Sequence, residues 1–198
     1  MRYMDKKLKL IISVSVVFIV AASIALLYVR NENVGITARE GLAIADDVAQ
    51  EWNTSARLVT IYSIGGVSNS GMCNEWRYTY ANFSQSSNSS RALEVIVSHD
   101  ETWVISELEG PPTPNTITNW SLDSDQIINF AKNELHVNQY LNKYPNAKID
   151  TMALSSRSDN QHIWYILWSD SGFMDDPHSA VIKLDANTGV VLYVDVQL

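Results

Sequence analysis

The sequence predicts an α+β protein: an N-terminal transmembrane helix followed by two tandem units, each one helix packed on an antiparallel β-sheet. Three observations predict it. The first is Leu10–Val29, twenty residues without a charged side chain. At about 1.5 Å of rise per residue, a helix of this length spans the roughly 30 Å of a bilayer's hydrocarbon core with every backbone group paired internally. The second is a helical apolar stripe followed by short runs of alternating β-branched and aromatic residues. The third is that this order of elements occurs twice.

The first nine residues hold Arg2, Lys6, Lys7 and Lys9 against Asp5, and only Arg30 follows the apolar run. This bias puts the N-terminus in the cytoplasm and the remainder outside it, with residues 1–30 as cytoplasmic tip and anchor, and with membrane lipid as the partner of residues 10–29. A cleaved signal peptide is the competing reading, with Ser23 and Ala25 as small residues before the cut. The run continues through Ile24, Leu26, Leu27 and Val29, which is long for a signal.

The first unit covers 36–108. Thr37 and Glu40 make a capping box, and Ala38, Leu42, Ala45, Val48, Ala49 and Trp52 recur at helical spacing, so the helix runs over 38–53. Strands follow at Leu58–Ile64, Trp76–Tyr80, Ala92–Val97 and Thr102–Leu108, separated by Gly-, Ser- and Asn-rich reversals. Residues 109–119 (EGPPTPNTITN) read as an extended linker, because Pro111, Pro112 and Pro114 cannot continue a helix or a central strand.

The second unit covers 120–198. Asp123 and Gln126 form another capping box; Ile127, Ile128, Ala131 and Leu135 mark a helix, which Tyr140, Leu141 and Tyr144 extend or follow until Pro145. Strands are predicted at Lys148–Leu154, Ile163–Trp168, Ala180–Asp185 and Val190–Val196. Ala56–Ile61 aligns with Ala147–Met152, Trp76–Tyr80 with Trp164–Trp168, and Ala92-Leu93 with Ala180-Val181, at offsets of 91, 88 and 88 residues. Such near-constant offsets suggest a duplicated unit.

Between the last two strands, Asp185-Ala186-Asn187-Thr188-Gly189 makes a tight turn in which Gly189 accepts a positive φ. The helix, the aromatic strand Trp164–Trp168 and this terminal hairpin together resemble the PepSY domain, over about residues 120–198. The first unit departs from the pattern, since Val97–Trp103 has no glycine at its turn. The resemblance implies protein or peptide binding, with protease inhibition in propeptides, and no catalysis by the module itself.

Composition excludes several functions. After Arg30 the chain holds 9 Lys and Arg against 21 Asp and Glu, a net charge of −12 that repels phosphate and disfavours nucleic acid. One cysteine, Cys73, permits no internal disulfide and no cysteine-rich metal site. No catalytic, cofactor-binding or metal-binding set is recognised: the histidines are scattered, and neither a nucleophile elbow nor a phosphate-cradling glycine loop occurs. Asp170, Asp175, Asp176 and His178 crowd one loop and could gather ligands for a hard cation or an acidic hydrolase site, but their spacing fits no EF-hand.

Strand 163–168 is apolar on both faces, with Ile163, Tyr165 and Leu167 on one and Trp164, Ile166 and Trp168 on the other. Something must cover the second face, either the rest of the chain or a partner. Trp164, Ile166, Trp168 and Tyr165 are the candidate partner-binding residues. The expected function is a membrane-anchored extracytoplasmic module binding an envelope protein or peptide. A structural envelope protein without a specific ligand and a hydrolase with its site at Asp170 to His178 are the alternatives.

Overall fold

The computed structural model describes residues 35–82, 90–110, 115–157, 159–170 and 178–197. One antiparallel sheet of eight strands runs through them, in the order β4-β3-β2-β1-β5-β6-β7-β8. Its strands are β1 Ala56–Val67, β2 Cys73–Asn82, β3 Ser90–Ser98, β4 Thr102–Gly110, β5 Lys148–Ser156, β6 His162–Ser169, β7 Ser179–Asp185 and β8 Val191–Gln197. Three helices accompany the sheet: α1 Ala38–Trp52, α2 Ser124–Asn133 and α3 Leu135–Lys143.

This overturns the expectation of two helix-on-sheet units. Each half does contribute a four-strand meander, but the first strands of the two meanders, β1 and β5, pair antiparallel through Thr60↔Ser155, Ile61↔Leu154 and Tyr62↔Ala153. Joining at this seam leaves neither β1 nor β5 as an edge with unpaired backbone groups, which is the physical reason to merge. The core is likewise shared: Ala45, Ala49, Trp76 and Tyr78 from one half join Ile127, Tyr140, Trp164 and Ile182 from the other in a single cluster. The expected single helix of the second half is in fact two. Glu134 has extended backbone and its carboxylate accepts the Val137 N–H at 2.9 Å, so it stops α2 and caps α3.

The expected membrane-crossing helix, residues 10–29, falls outside the described residues. Among the described residues no helix is long and apolar enough to cross a membrane. Within the Pro-rich connection, residues 111–114 are also outside the described set, whereas Ile117 is buried and its N–H donates to the Leu58 carbonyl at 2.7 Å.

Both predicted capping boxes are present, Thr37 with Glu40 and Asp123 with Gln126. What the sequence did not reveal is that the two helix starts meet. The Asp123 carboxylate caps its own helix through Ser124 N–H at 2.7 Å and also accepts the Arg39 N–H of α1 at 3.1 Å, while the Ser124 hydroxyl accepts the Ala38 N–H at 3.1 Å. Two positive helix ends therefore converge on one buried acid. Burial pushes the Asp123 carboxyl above the usual carboxylate range, against the opposing pull of hydrogen bonds from Thr37 and Ser124 and of the Arg39 charge.

The turn before β2 packs on this junction. Gly71 has φ of +82°, and a Cβ there would stand 2.3 Å from the Ser124 carbonyl oxygen, so only glycine fits. In the β7–β8 turn, Asp185 Oδ1 accepts from Asn187 N, Thr188 N and Thr188 Oγ1, and Gly189 has φ of +72°, the positive value its turn position predicts.

His162, at the start of β6, supplies a pH dependence. It is buried; its Nε2 accepts the Thr118 N–H at 3.4 Å, and burial holds the imidazole below its ordinary range. The unfolded chain therefore takes up a proton on acidification more readily than the folded one. Stability is expected to fall as pH drops through the unfolded value of about 6.5, and the fall levels off below the lower folded value. Urea denaturation between pH 7.5 and 5.5 measures this slope, and His162→Gln is expected to flatten it; an unchanged slope in that variant contradicts the assignment.

Candidate functional site: the sheet face opposite the core

Alternation along each strand sorts the sheet into two faces. On one, Trp76, Tyr78 and Tyr80 of β2 and Trp164, Ile166 and Trp168 of β6 are buried in the core beneath the helices. Trp76 Nε1 donates to the Ile36 carbonyl at 2.8 Å and Trp164 Nε1 to the Leu122 carbonyl at 2.9 Å, each immediately before a helix N-cap. The two indoles meet edge to face at 6.3 Å between ring centroids.

This corrects the predicted partner-binding face. Trp164, Ile166 and Trp168 have no solvent exposure and cannot meet a partner. Of the four candidates only Tyr165 lies on the opposite face, where it is half-buried. Both faces of β6 are apolar in sequence, and nothing local says which of them the helices cover.

On that opposite face no helix packs among the described residues. Ile96, Ile163 and Leu167 lie there, buried yet outside the core cluster. One row of directly paired residues crosses the whole sheet: Trp103, Ile96, Arg77, Tyr62, Ala153, Tyr165, Lys183 and Tyr193, one from each strand from β4 to β8. Trp103, Tyr62 and Tyr193 are 40 %, 42 % and 48 % exposed, large values for rings in the middle of strands.

The row carries charge as well as rings. Lys183 Nζ stands 5.3 Å from the centroid of the Tyr193 ring, within cation–π range. Arg77 lies 3.7 Å from the Glu94 carboxylate. The phenol of Tyr165 is pushed up, by burial first and then by Tyr62 and Tyr193. Asp185, the acid nearest Lys183 along β7, is engaged by its own turn and by Gln161 Nε2 at 2.9 Å, which with the turn's amides holds its carboxyl below the usual range.

Other candidate chemistry is not assembled. Asp175 and Asp176 lie outside the described residues; Asp170 is exposed, and the His178 ring is stacked on Tyr144 at 4.8 Å. No group of three His, Cys, Asp or Glu placed to hold a metal ion occurs among the described residues. Cys73 is buried with its Sγ donating to the Glu75 carbonyl at 3.1 Å, and burial pushes the thiol up, the setting of an inert cysteine rather than a nucleophile.

The cross-strand row was readable only in part. Every member lies at an alternating strand position, but their alignment depends on the β1–β5 seam and on the strand registers, which no local pattern specifies.

No family model matches the chain, and no curated protein matches it, so the PepSY resemblance finds no support there. Among solved structures the chain is similar to a putative lipoprotein from Clostridium difficile 630, at 14 % sequence identity. The match covers 78 % of this chain and 91 % of that one with a TM-score of 0.51, and it shows a shared fold alone.

Proposed function

We propose that the chain is a non-catalytic binding module of the cell envelope, associated with the membrane, that holds an envelope partner on the sheet face opposite its core. The observation that carries this reading is the row from Trp103 to Tyr193, with three strongly exposed rings on a face that already buries Ile96, Ile163 and Leu167. Exposed aromatics beside apolar surface are the material of recognition sites, because each ring buries a large area at little cost in side-chain entropy.

A place outside the cytoplasm is supported by the basic residues before Leu10, against Arg30 alone just after the apolar run. The solved structure that shares this fold is named a putative lipoprotein. Association with the membrane is assigned to the uncharged stretch 10–29.

The test is retention of the labelled full-length chain, kept in detergent, by envelope material from the native cell that has been extracted free of lipid. Retention is expected to saturate, and to weaken at least about tenfold in a Tyr62→Ala, Tyr193→Ala double variant, as loss of about 1.4 kcal/mol or more from two interface rings requires. Ile44→Ser, at an exposed position on α1, is the control and is expected to leave retention intact. Retention that never saturates, or that ignores the two tyrosines, contradicts the proposal.

A further inference from the structure

β4 and β8 are the two edges of the sheet. Along β8 every second residue directs its backbone N–H and C=O away from β7, and among the described residues no strand receives them. Edges of this kind are usually blunted by charges, prolines or bulges, because they template pairing with another chain. β8 carries little such protection. Val190, Val191, Leu192 and Tyr193 are between 39 % and 58 % exposed, and Asp195 is the one charged residue from Val191 to Gln197. The pairing with β7 is regular from Tyr193 to Gln197, its irregularity lying before Tyr193.

The edge is complementary to itself. Antiparallel pairing of two identical strands closes a two-fold axis, so each contact is made twice. The register that overlaps the whole of Val191–Gln197 is centred on Val194. It sets Val194 against itself, Leu192 against the partner's Val196, and Tyr193 against the partner's Asp195. Val194 and Val196 already pack against the common core, so the apolar side of the seam continues that core from one molecule to the next.

Charge matches in the same register. Lys183 pairs with Tyr193 inside one molecule, and its Nζ stands 5.3 Å from the centroid of that ring. The partner's Asp195, opposite Tyr193, comes two strand spacings or about 10 Å from the Lys183 backbone, within the joint reach of the two side chains. Asp195 alone would discourage edge pairing; here it meets a cation. The acidity of the rest of the chain does not fall on the seam, where β8 holds no other charge.

We propose that the β8 edge pairs with β8 of a second copy, antiparallel and centred on Val194, so that one sheet runs through two molecules with Lys183 and Asp195 facing each other across the seam. This is separate from the envelope-binding reading, which uses the sheet face and not the edge, and either can fail alone.

The full-length chain in density-matched detergent is followed by sedimentation equilibrium at micromolar concentrations and is expected to show a reversible monomer–dimer equilibrium. Leu192→Lys, at an exposed position, sets a cation against Val196 at two places and is expected to weaken the dimer at least about tenfold with the helix signal unchanged. Asp195→Lys and Lys183→Glu are each expected to weaken it about fivefold, and the two together, which exchange the charges, to bring it back to within about twofold of the native value. Val194→Cys is expected to give an intermolecular disulfide on mild oxidation, since opposed residues of paired strands lie about 5 Å apart at Cα. The native chain, whose Cys73 is buried, is expected to give none.

A monomer at all these concentrations overturns the proposal. So does a dimer that ignores both Leu192→Lys and Asp195→Lys, whose contact must lie elsewhere in the chain. Absence of the Val194→Cys disulfide overturns the register, and a charge exchange that restores nothing overturns the contact between Lys183 and Asp195.

Discussion

Trp164→Ala is expected to destabilise the protein by about 3–5 kcal/mol, the usual range for removing a fully buried indole from a core. The ring has no solvent exposure, meets Trp76 edge to face, and its Nε1 donates to the Leu122 carbonyl that precedes α2. Truncation opens a cavity between the sheet and the helices and also leaves that carbonyl without its donor. For a domain of this size the midpoint of thermal unfolding should drop by roughly 10 °C. Trp164→Phe keeps most of the volume and isolates the lost hydrogen bond, so an intermediate loss of about 1–3 kcal/mol is expected. Denaturation in urea measures both. A Trp164→Ala variant of native stability that loses partner binding instead would restore the surface role that burial contradicts.

Asp123→Ala is expected to cost about 2–4 kcal/mol, because one carboxylate serves the starts of two helices. A single N-cap is worth about 1 kcal/mol. Here the side chain accepts Ser124 N–H of its own helix and Arg39 N–H of α1, at a site that is mostly buried. Water cannot replace it fully, and the unpaired N–H groups add their own penalty. Asp123→Asn retains a good N-cap oxygen and loses only the charge facing two positive helix ends, so its loss should be under half as large. Equilibrium unfolding followed by tryptophan fluorescence and by helix signal distinguishes the cases. Equal losses in the two variants would mean that the carboxylate's charge, not its hydrogen bonding, joins the helices.

The elements themselves were legible because their signals are local. Thr37 with Glu40 and Asp123 with Gln126 announce helix starts that the structure contains, and α1 ends within a residue of its predicted limit. The terminal turn at Asp185–Gly189 has the hydrogen bonds and the positive φ that its residue types require. The four strands of each half lie where alternating runs place them. The break at Glu134 was hidden, since an apolar stripe continues across it and only the backbone shows the restart.

Recognition was less legible than structure. Trp164, Ile166 and Trp168 look like a sticky face along one strand, and they are core; Tyr62, Trp103 and Tyr193 sit on three separate strands, where no local pattern joins them. Only Tyr165 belongs to both sets. Large aromatic residues favour interiors and interfaces for the same reason, the area they remove from water, so residue type alone does not separate the two.

By itself the sequence determined which segments become helix and strand, where two helices start, how the last hairpin turns, and that the surface beyond Arg30 is acidic. Periodicity, capping chemistry and charge act over a few residues or by simple summation. Tertiary structure decided that the two meanders fuse at Tyr62 and Ala153 into one sheet, that a single core lies under the three helices, and that eight side chains from eight strands fall into line on the face opposite that core. Those outcomes depend on pairing between residues far apart in the chain, where the burial of edge strands and the packing of large rings set the lowest free energy, and strand alternation is silent about which face wins.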